Sequence, residues 1–456
     1  MFVNRNTEIE RLRKILSQET AQLVVIYGRR RGGKSALLRQ IIDNNTVYFS
    51  ADQSEAPIQI RSMAERIEQK VPGFSTPIYP GWDSLFRSLD RSLKERITLC
   101  IDEFPYLVKN SPELPSLIQN IHDDGAHKNY NLILCGSSQK MMHEMVLNKK
   151  APLYGRAGEI MKVKPMSVYH LMKFLEVTPE EAIREYSVWG GIPRYWEVRK
   201  SAASLGESVE NNVINPYGLF ADEPERLFSD EIRTSVQAYT MLTLIGSGCN
   251  RLSEIAARME KPATHLSGVT SFLIELKYIR REIPFGESLR STKKTLYKID
   301  DPFLNFWFTF VAPDKSRIDL GLTGQALKDI EGKLPVYVSS IWEELCRQAV
   351  PFLFSGESIN PAMRWWGRGK DGLPMEIDVI AESSDKRTLV IGEAKWSEKS
   401  SPETESEILQ RKIDNLPFIK AQKIIRILFL KNPNPIWPGG TTVFGPEDVV
   451  NAFSKV

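Results

Sequence analysis

Cysteine and histidine are scarce in this 456-residue chain. The four cysteines, at 100, 135, 249 and 346, stand far apart, which excludes both a disulfide framework and a zinc spacing. Five scattered histidines make no ligand pattern either. Net charge is almost absent: 60 basic against 57 acidic residues leave +3. No whole-chain field therefore draws the protein to nucleic acid or a membrane, and any basic footprint must be local. No apolar run approaches the ~18 residues a membrane helix needs. The opening MFVNRNTEIERLRKIL is polar and lacks an apolar leader core. A soluble, cytoplasmic protein of a reducing compartment, without membrane contact, is expected. Internal repeats and low-complexity tracts are also missing.

What is present is globular in composition, 42% hydrophobic and 26% charged, which rules out disorder, collagen and coiled coil. The length suits three domains at about 150 residues each. In the first third, LVVIYG (23–28), TVYFSA (46–51), ITLCIDEF (97–104) and NLILCGSS (131–138) are apolar runs separated by helical patterns. Buried parallel strands read this way, so a helix-covered parallel sheet is expected.

Residues 28–35 read Gly28-Arg29-Arg30-Arg31-Gly32-Gly33-Lys34-Ser35, which satisfies G-x-x-x-x-G-K-[ST]. The glycines let backbone N–H groups turn inward on anionic oxygens at a helix N-terminus. Gly28, Gly33, Lys34, Ser35 and Ala36 are expected to hold ATP. Lys34 would reach the β/γ-phosphates, and the Ser35 hydroxyl would ligate Mg²⁺. Arg29, Arg30 and Arg31 either add charge near the nucleotide or are solvated. The second motif is the strand Ile97–Phe104, which carries Asp102-Glu103. Asp102 fits a second Mg²⁺ anchor, and Glu103 fits the residue that polarises the attacking water, which favours hydrolysis over mere binding. Ser137, after the next strand, contacts the γ-phosphate or the water, or belongs to a plain turn.

These residues resemble the archaeal-type ATPase family, in the AAA+/STAND branch of phosphate-loop enzymes. The opening Phe2-Val-Asn-Arg5-Asn-Thr-Glu8 is similar to that family's adenine-side segment, which implies Arg5 as a cofactor contact. Pro152-Leu-Tyr-Gly155-Arg156 is similar to its L-x-G-R element. The likeness implies that Arg156 stabilises the charge of the transferring phosphate, either on this chain's own nucleotide or on that of a neighbouring subunit in a homo-oligomer. It also implies that the turn Gly190-Gly191-Ile-Pro193-Arg194 sits against the nucleotide. A structural salt bridge is the other reading for either arginine.

Further on, Arg251–Ala257 and Leu266–Ile279 read as two helices around a turn at Pro262–His265, followed by strand–turn–strand to Leu296–Ile299. That is the pattern of a winged helix. Residues 277–298 hold seven basic and two acidic residues, a plausible phosphate-contacting patch or a solvated hairpin. Residues 315–335 read as a linker and a short helix, and 341–354 as a helix. Asp378 ends a strand, and fourteen residues later come Glu393-Ala394-Lys395. Alternation places Glu393 and Lys395 on one face. Asp378 and Glu393 are expected to share a second divalent metal, Glu343 to add a third acid, and Lys395 to act on the water. This pattern resembles the PD-(D/E)XK nuclease superfamily, with Ile377 in place of the proline before the aspartate. Trp365-Trp366-Gly and the segment from Asp301 to Phe308 resemble the domain of unknown function that accompanies archaeal ATPases.

The expected architecture is an α/β multidomain chain. It comprises a phosphate-loop NTPase parallel sheet (1–165) with a helical lid (166–230), a winged-helix middle domain (231–312) and a restriction-endonuclease-like α/β domain (313–456). The expected function is Mg²⁺-dependent ATP hydrolysis coupled to DNA or other nucleic-acid binding and a nuclease module. The alternative is a non-nucleolytic, ATP-gated regulator or scaffold.

Overall fold

The computed structural model describes residues 4–125, 128–231, 235–288, 290, 292–420, 422–433 and 440–455. Phe2 of the expected adenine-side segment lies outside them. The chain divides into two compact units, Met1–Pro165 with Ile192–Arg194, and Met166–Gly191 with Tyr195–Val456.

The first unit is built on strands β1 (Leu23–Gly28), β2 (Thr46–Ser50), β3 (Ile97–Asp102), β4 (Tyr130–Gly136) and β5 (Glu159–Val163), in the order β2-β3-β4-β1-β5. Every pairing is parallel. Side-chain alternation divides the apolar residues between two faces. Leu23 and Val25 join Phe49, Leu99, Ile101, Leu132 and Leu134 on one side. Val24 and Ile26 join Cys100, Ile133 and Cys135 on the other. The two cysteines are thus small core residues, and burial pushes both thiols well up. From the interior strand β1 the chain leaves toward β2 on one flank and later adds β5 on the other. The crevice outside the carboxyl ends of such strands is where α/β sheets bind ligands.

The second unit opens with helices around an aromatic core in which Trp189, Tyr195, Phe220 and Phe303 pack ring against ring. Phe303, Phe306 and Trp307 are fully buried and belong to this core. Helices Ser235–Gly246, Leu252–Arg258 and Ala263–Glu275 precede an antiparallel hairpin of β6 (Ile279–Glu282) and β7 (Leu296–Ile299). The helix expected to run to Ile279 stops earlier. Lys277 takes φ of 62°, and the N–H groups of Lys277 and Tyr278 donate to the carbonyls of Ile274 and Leu273. This left-handed turn satisfies the last carbonyls and releases Ile279 to the strand.

The expected linker at 315–335 is also corrected. Helix Ala312–Asp319 is followed by one helix, Thr323–Leu353, with Pro335 and Pro351 inside it. Its buried residues Ala326, Ile330, Leu334, Val338, Trp342, Leu345 and Ala349 keep the helical period across the proline. Burying that stripe at about 1.5–3 kcal/mol per large side chain outweighs the ~3 kcal/mol of one interior proline.

Beyond it lie β8 (Met363–Arg368), β9 (Pro374–Glu382), β10 (Thr388–Lys395), β11 (Lys423–Leu430) and β12 (Thr442–Phe444), ordered β12-β11-β10-β9-β8. β8, β9 and β10 are antiparallel neighbours, whereas β10, β11 and β12 are parallel. The helix Pro402–Asn415 makes the β10–β11 crossover.

Candidate functional site

The carboxyl edge of the first sheet gathers the nucleotide residues. β1 ends at Gly28, where a Cβ would stand 2.5 Å from the Val163 carbonyl oxygen, so only glycine lets β5 approach. The loop then turns through left-handed Arg31 (φ 65°) and Gly33 (φ 88°) before helix Lys34–Arg39 begins. Ser35 and Ala36 lie in that first helical turn. Lys34 is buried, and its Nζ donates to the carbonyls of Gly28 and Arg29, each at 2.9 Å. The ammonium is therefore held inside the loop. Arg29 is buried, Arg31 half-buried and Arg30 exposed.

Arg5 is nearly buried and donates to the carbonyls of Gly32 (3.3 Å) and Lys164 (2.7 Å) while pairing with Glu8 (2.8 Å). It fastens the N-terminal segment to the loop. Of the expected Gly190–Pro193 turn, Pro193 lies in this unit, 4.0 Å from where a Cβ on Gly33 would stand, with exposed Arg194 beside it.

β4 lies between β1 and β3, so the ends of these three strands are contiguous. Asp102 is buried at the end of β3; its Oδ2 accepts from the Tyr48 hydroxyl at 2.6 Å, and its Oδ1 from the Glu103 N–H at 3.0 Å. Burial first, and then the hydrogen bond to Asp102, raise the Tyr48 phenol well above its ordinary value, so it remains a donor. Glu103 takes φ of 54°, a conformation that an L-residue holds only when its surroundings impose it. The surroundings are visible: Pro105 packs so close to β4 that a Cβ on Gly136 would stand 2.6 Å from its Cδ. The Glu103 carboxylate turns toward β4 and accepts from the Ser137 hydroxyl at 2.8 Å. Lys34, Asp102, Glu103 and Ser137 thus share one edge of the sheet.

Arg156 does not. It follows helix Leu114–Asp123 in the fold and pairs with Asp123 through Nε (2.8 Å) and Nη2 (2.7 Å), with further bonds to the carbonyls of Pro152 and Tyr154. Gly158, two residues on, donates to the Leu23 carbonyl at the start of β1. Arg156 is therefore at the amino edge of the sheet, about 16 Å of strand from the phosphate loop. As placed, it makes the salt bridge with Asp123 and stands apart from this chain's own phosphate loop.

In the second sheet, Gly392 pairs with Val379, which brings Asp378 across from Glu393. Asp378 is buried; its Oδ2 accepts from the Ala394 N–H at 3.1 Å and lies 3.3 Å from the Lys395 Nζ. Glu393 is fully buried, with Oε2 2.9 Å from Lys395 and Oε1 2.7 Å from Lys412. Alternation does put Glu393 and Lys395 together. The expected shared metal meets a difficulty of charge, because the Lys395 ammonium bridges the two carboxylates and Lys412 takes the remaining Glu393 oxygen. Among the described residues no group of three or more His, Cys, Asp or Glu is arranged to hold a metal ion. Asp378 and Glu393 thus form a neutralised pair that does not fit a divalent ion as placed, and Glu343, whose charged partner is Arg347 at 4.0 Å, shares neither lysine. Burial, then the Asp378 charge, raise both Glu393 and Glu343, the latter to about 7. Asp378 goes down: burial opposes ionisation, but Lys395 and the Ala394 N–H outweigh it.

The sequence pointed to neither Tyr48, Lys412 nor Arg347, whose Nη1 donates to the Asp378 carbonyl at 3.0 Å. Arg347 sits one helical turn after Glu343, a signal in hindsight; Lys412 offers none, since its partner is on another element.

The basic patch is thinner than its residue count. Arg280 pairs with Glu282 and Glu344 (3.1 Å each) and with Asp300 (3.5 Å), and Lys298 with Glu282 (3.2 Å). Both belong to an internal network. Lys277, Arg281, Arg290 and Lys293 are exposed.

A parallel sheet with its phosphate loop after β1 and an acidic pair one strand beyond the next defines a phosphate-loop ATPase core. Residues 2–197 match a family described as an ATPase domain predominantly from Archaea, and residues 307–407 one described as archaeal and bacterial proteins of unknown function. An uncharacterized protein of Methanocaldococcus jannaschii is 30% identical over 409 residues, 87% of this chain and 88% of its own. An uncharacterized ATP-binding protein of the same organism is 40% identical over 47 residues, 10% of this chain and 80% of its own. The Walker-type ATPase of Pyrococcus abyssi superimposes with a TM-score of 0.53 at 22% identity, covering 67% of this chain and 96% of that one, a likeness of fold. The chain belongs to the archaeal-type ATPase family. No described helix is long and apolar enough to cross a membrane.

Proposed function

We propose that the protein is a Mg²⁺-dependent ATP hydrolase whose nucleotide state governs an attached nucleic-acid-binding module and the C-terminal domain. The observation that carries the hydrolase is the left-handed turn at Glu103, which sets its carboxylate against Ser137 one strand from the phosphate loop. In this reading Lys34 exchanges loop carbonyls for β/γ-phosphate oxygens, and Glu103 accepts a hydrogen bond from the attacking water and aligns it. The Ser35 hydroxyl and the buried Asp102 carboxylate, oriented by Tyr48, suit a hard oxygen-loving cation and would hold Mg²⁺. When bound, that ion supplies neutralisation of the phosphate charge. Arg5 holds the N-terminal segment on the loop. Arg156 acts, if released from Asp123, only on the nucleotide of a neighbouring subunit. Glu103→Gln is expected to bind ATP and fail to turn it over; wild-type turnover by that variant would refute the role.

We read 1–165 as the ATPase core, 166–230 as a helical lid, 231–312 as a winged helix and 313–456 as a restriction-endonuclease-like domain. Helix Ala263–Glu275 would be the recognition helix and the β6–β7 hairpin the wing, with Lys277, Arg281, Arg290 and Lys293 on phosphates. For the last domain two readings remain in play. Nucleic-acid cleavage is supported by Asp378, Glu393 and Lys395 converging from adjacent strands. The non-nucleolytic regulator is supported by the two lysines that already neutralise those carboxylates, and this observation favours it. Incubation of the purified protein with labelled DNA and RNA, with Mg²⁺ or Mn²⁺ and with or without ATP, separates them. Metal-dependent cutting lost in Asp378→Ala, with ATP hydrolysis intact, would restore the nuclease.

A further inference from the structure

A second concave surface lies in the second unit, away from the Asp378–Glu393 pair. It is a groove of about 860 Å³ between the loop that follows β6 and the outer part of the second sheet. Its floor is aromatic. Phe285 comes from that loop, Phe418 from the segment after helix Pro402–Asn415, and Trp365 from β8. Phe418 stands 5.7 Å from Phe285 and 5.5 Å from Trp365, centroid to centroid. Trp365 is buried, and the other two are half-buried, packed against the apolar cluster to which it belongs. The Phe285 N–H donates to the Arg364 carbonyl of β8 at 2.9 Å, so the loop is fastened to the sheet edge.

The rim is basic. Four lining residues are cationic (Lys294, Arg368, Lys386 and Lys420), and two, Glu287 and Glu382, are anionic. Lys294 and Glu287 neutralise each other at 3.0 Å. Arg368, Lys386 and Lys420 are exposed and outnumber the remaining Glu382. Lys386 is presented by a left-handed turn, φ 60°, between β9 and β10.

We propose that this groove binds single-stranded nucleic acid, with Phe285 and Phe418 as stacking faces for bases and Arg368, Lys386 and Lys420 on the backbone phosphates. Half-buried rings that line the floor of an open groove, with separated cations along the rim, are an arrangement that takes unpaired bases without sequence preference. A duplex hides its base faces and gains nothing from the rings. An acidic peptide would use the lysines but not the ring faces, and addition of a peptide strand along β8 is obstructed where Phe285 already occupies the Arg364 carbonyl. The inference rests on the nucleic-acid part of the proposed function for the class of partner, but it assigns a site distinct from the winged-helix surface.

The test measures binding of the full-length protein to a fluorescein-labelled single-stranded DNA of about ten nucleotides, the same sequence as duplex, and an oligoglutamate peptide. Lys386→Glu with Lys420→Glu changes only exposed side chains and is expected to fold. It should weaken single-strand binding and flatten the dependence of log K on log salt by about 1.4, or 0.7 for each contact. Phe418→Ala should weaken it roughly five- to a hundredfold, with Phe418→Tyr restoring it, while duplex affinity and ATP hydrolysis stay unchanged. Single-strand affinity and salt slope unchanged in the double lysine variant would overturn the groove while leaving the nucleic-acid reading standing. Absence of binding to either DNA by the wild type would remove both. Equal loss of peptide and DNA binding in the lysine variant, with none in Phe418→Ala, would make the groove an acidic-peptide site and refute the proposal.

Discussion

Glu343 offers a sharp test of the electrostatics around Asp378. Its side chain is 26% exposed on helix Thr323–Leu353, and burial first, then the Asp378 charge, raise its carboxyl from 4.5 to about 7. An acid with a raised folded pKa holds its proton more firmly in the native state. Between pH 4.5 and 7 the native protein therefore binds more protons than the unfolded chain, and this group's contribution to stability falls as pH rises. Above pH 7 the penalty is complete. At 1.36 kcal/mol per pH unit, the difference between 4.5 and about 7 amounts to about 3 kcal/mol. Glu343→Gln keeps the shape of the protonated acid and removes the penalty. The variant should match the wild type below about pH 4.5 and exceed it by up to about 3 kcal/mol at pH 8. Paired urea or calorimetric unfolding curves at several pH values check this, since the difference between the two proteins cancels every other titrating group. Parallel pH profiles, or a variant less stable than wild type at pH 8, would refute the reasoning.

Lys34→Ala removes the buried ammonium that would hydrogen-bond the β/γ-phosphate oxygens in the proposed reading, and ATP affinity by calorimetric titration should fall roughly ten- to a hundredfold. Gly136→Ala would set a Cβ 2.6 Å from Pro105 Cδ; unfolding should show a loss of about 1–3 kcal/mol, together with slower ATP hydrolysis as the Glu103 turn shifts. Lys412→Met leaves the fully buried Glu393 with one cation. Because Lys395 remains, the loss should be about 2 kcal/mol at neutral pH, below that for a buried pair broken outright. Since Glu393 is already raised above 4.5, and further in this variant, the deficit should shrink as pH falls toward 4.5. A deficit that grows on acidification would contradict that sign.

The phosphate loop was legible in the sequence because its chemistry is local. Glycines, lysine and serine must be adjacent, and the apolar run before them announces the strand. Asp378, Glu393 and Lys395 were legible for a similar reason, since a period of two decides which residues share a face. What the sequence hid depends on partners distant in the chain. Arg280 counts as surface charge in the sequence, whereas the fold sets Glu344, 64 residues away, beside it. Lys412 neutralises Glu393 from a crossover helix, and Tyr48 reaches Asp102 from the next strand. Arg156 looked available because a motif says nothing about which edge of the sheet receives it. The sequence reads 315–335 as a linker with a short helix and 341–354 as a separate helix, because the continuous buried stripe that joins them across Pro335 is a property of the packed unit.

That helix has a mechanical meaning. Thirty-one residues at 1.5 Å each make a rod about 46 Å long. Midway, the Tyr337 hydroxyl touches the carbonyls of Ser187 and Pro302, both at 3.1 Å. Some 15 Å further along, Arg347 holds the carbonyl of Asp378 at 3.0 Å. Three segments remote in sequence are therefore indexed to one shaft. Turning it about its axis by a fraction of a residue would move Tyr337 and Arg347 through the same angle, so the helical core and the acidic strand pair keep a common register.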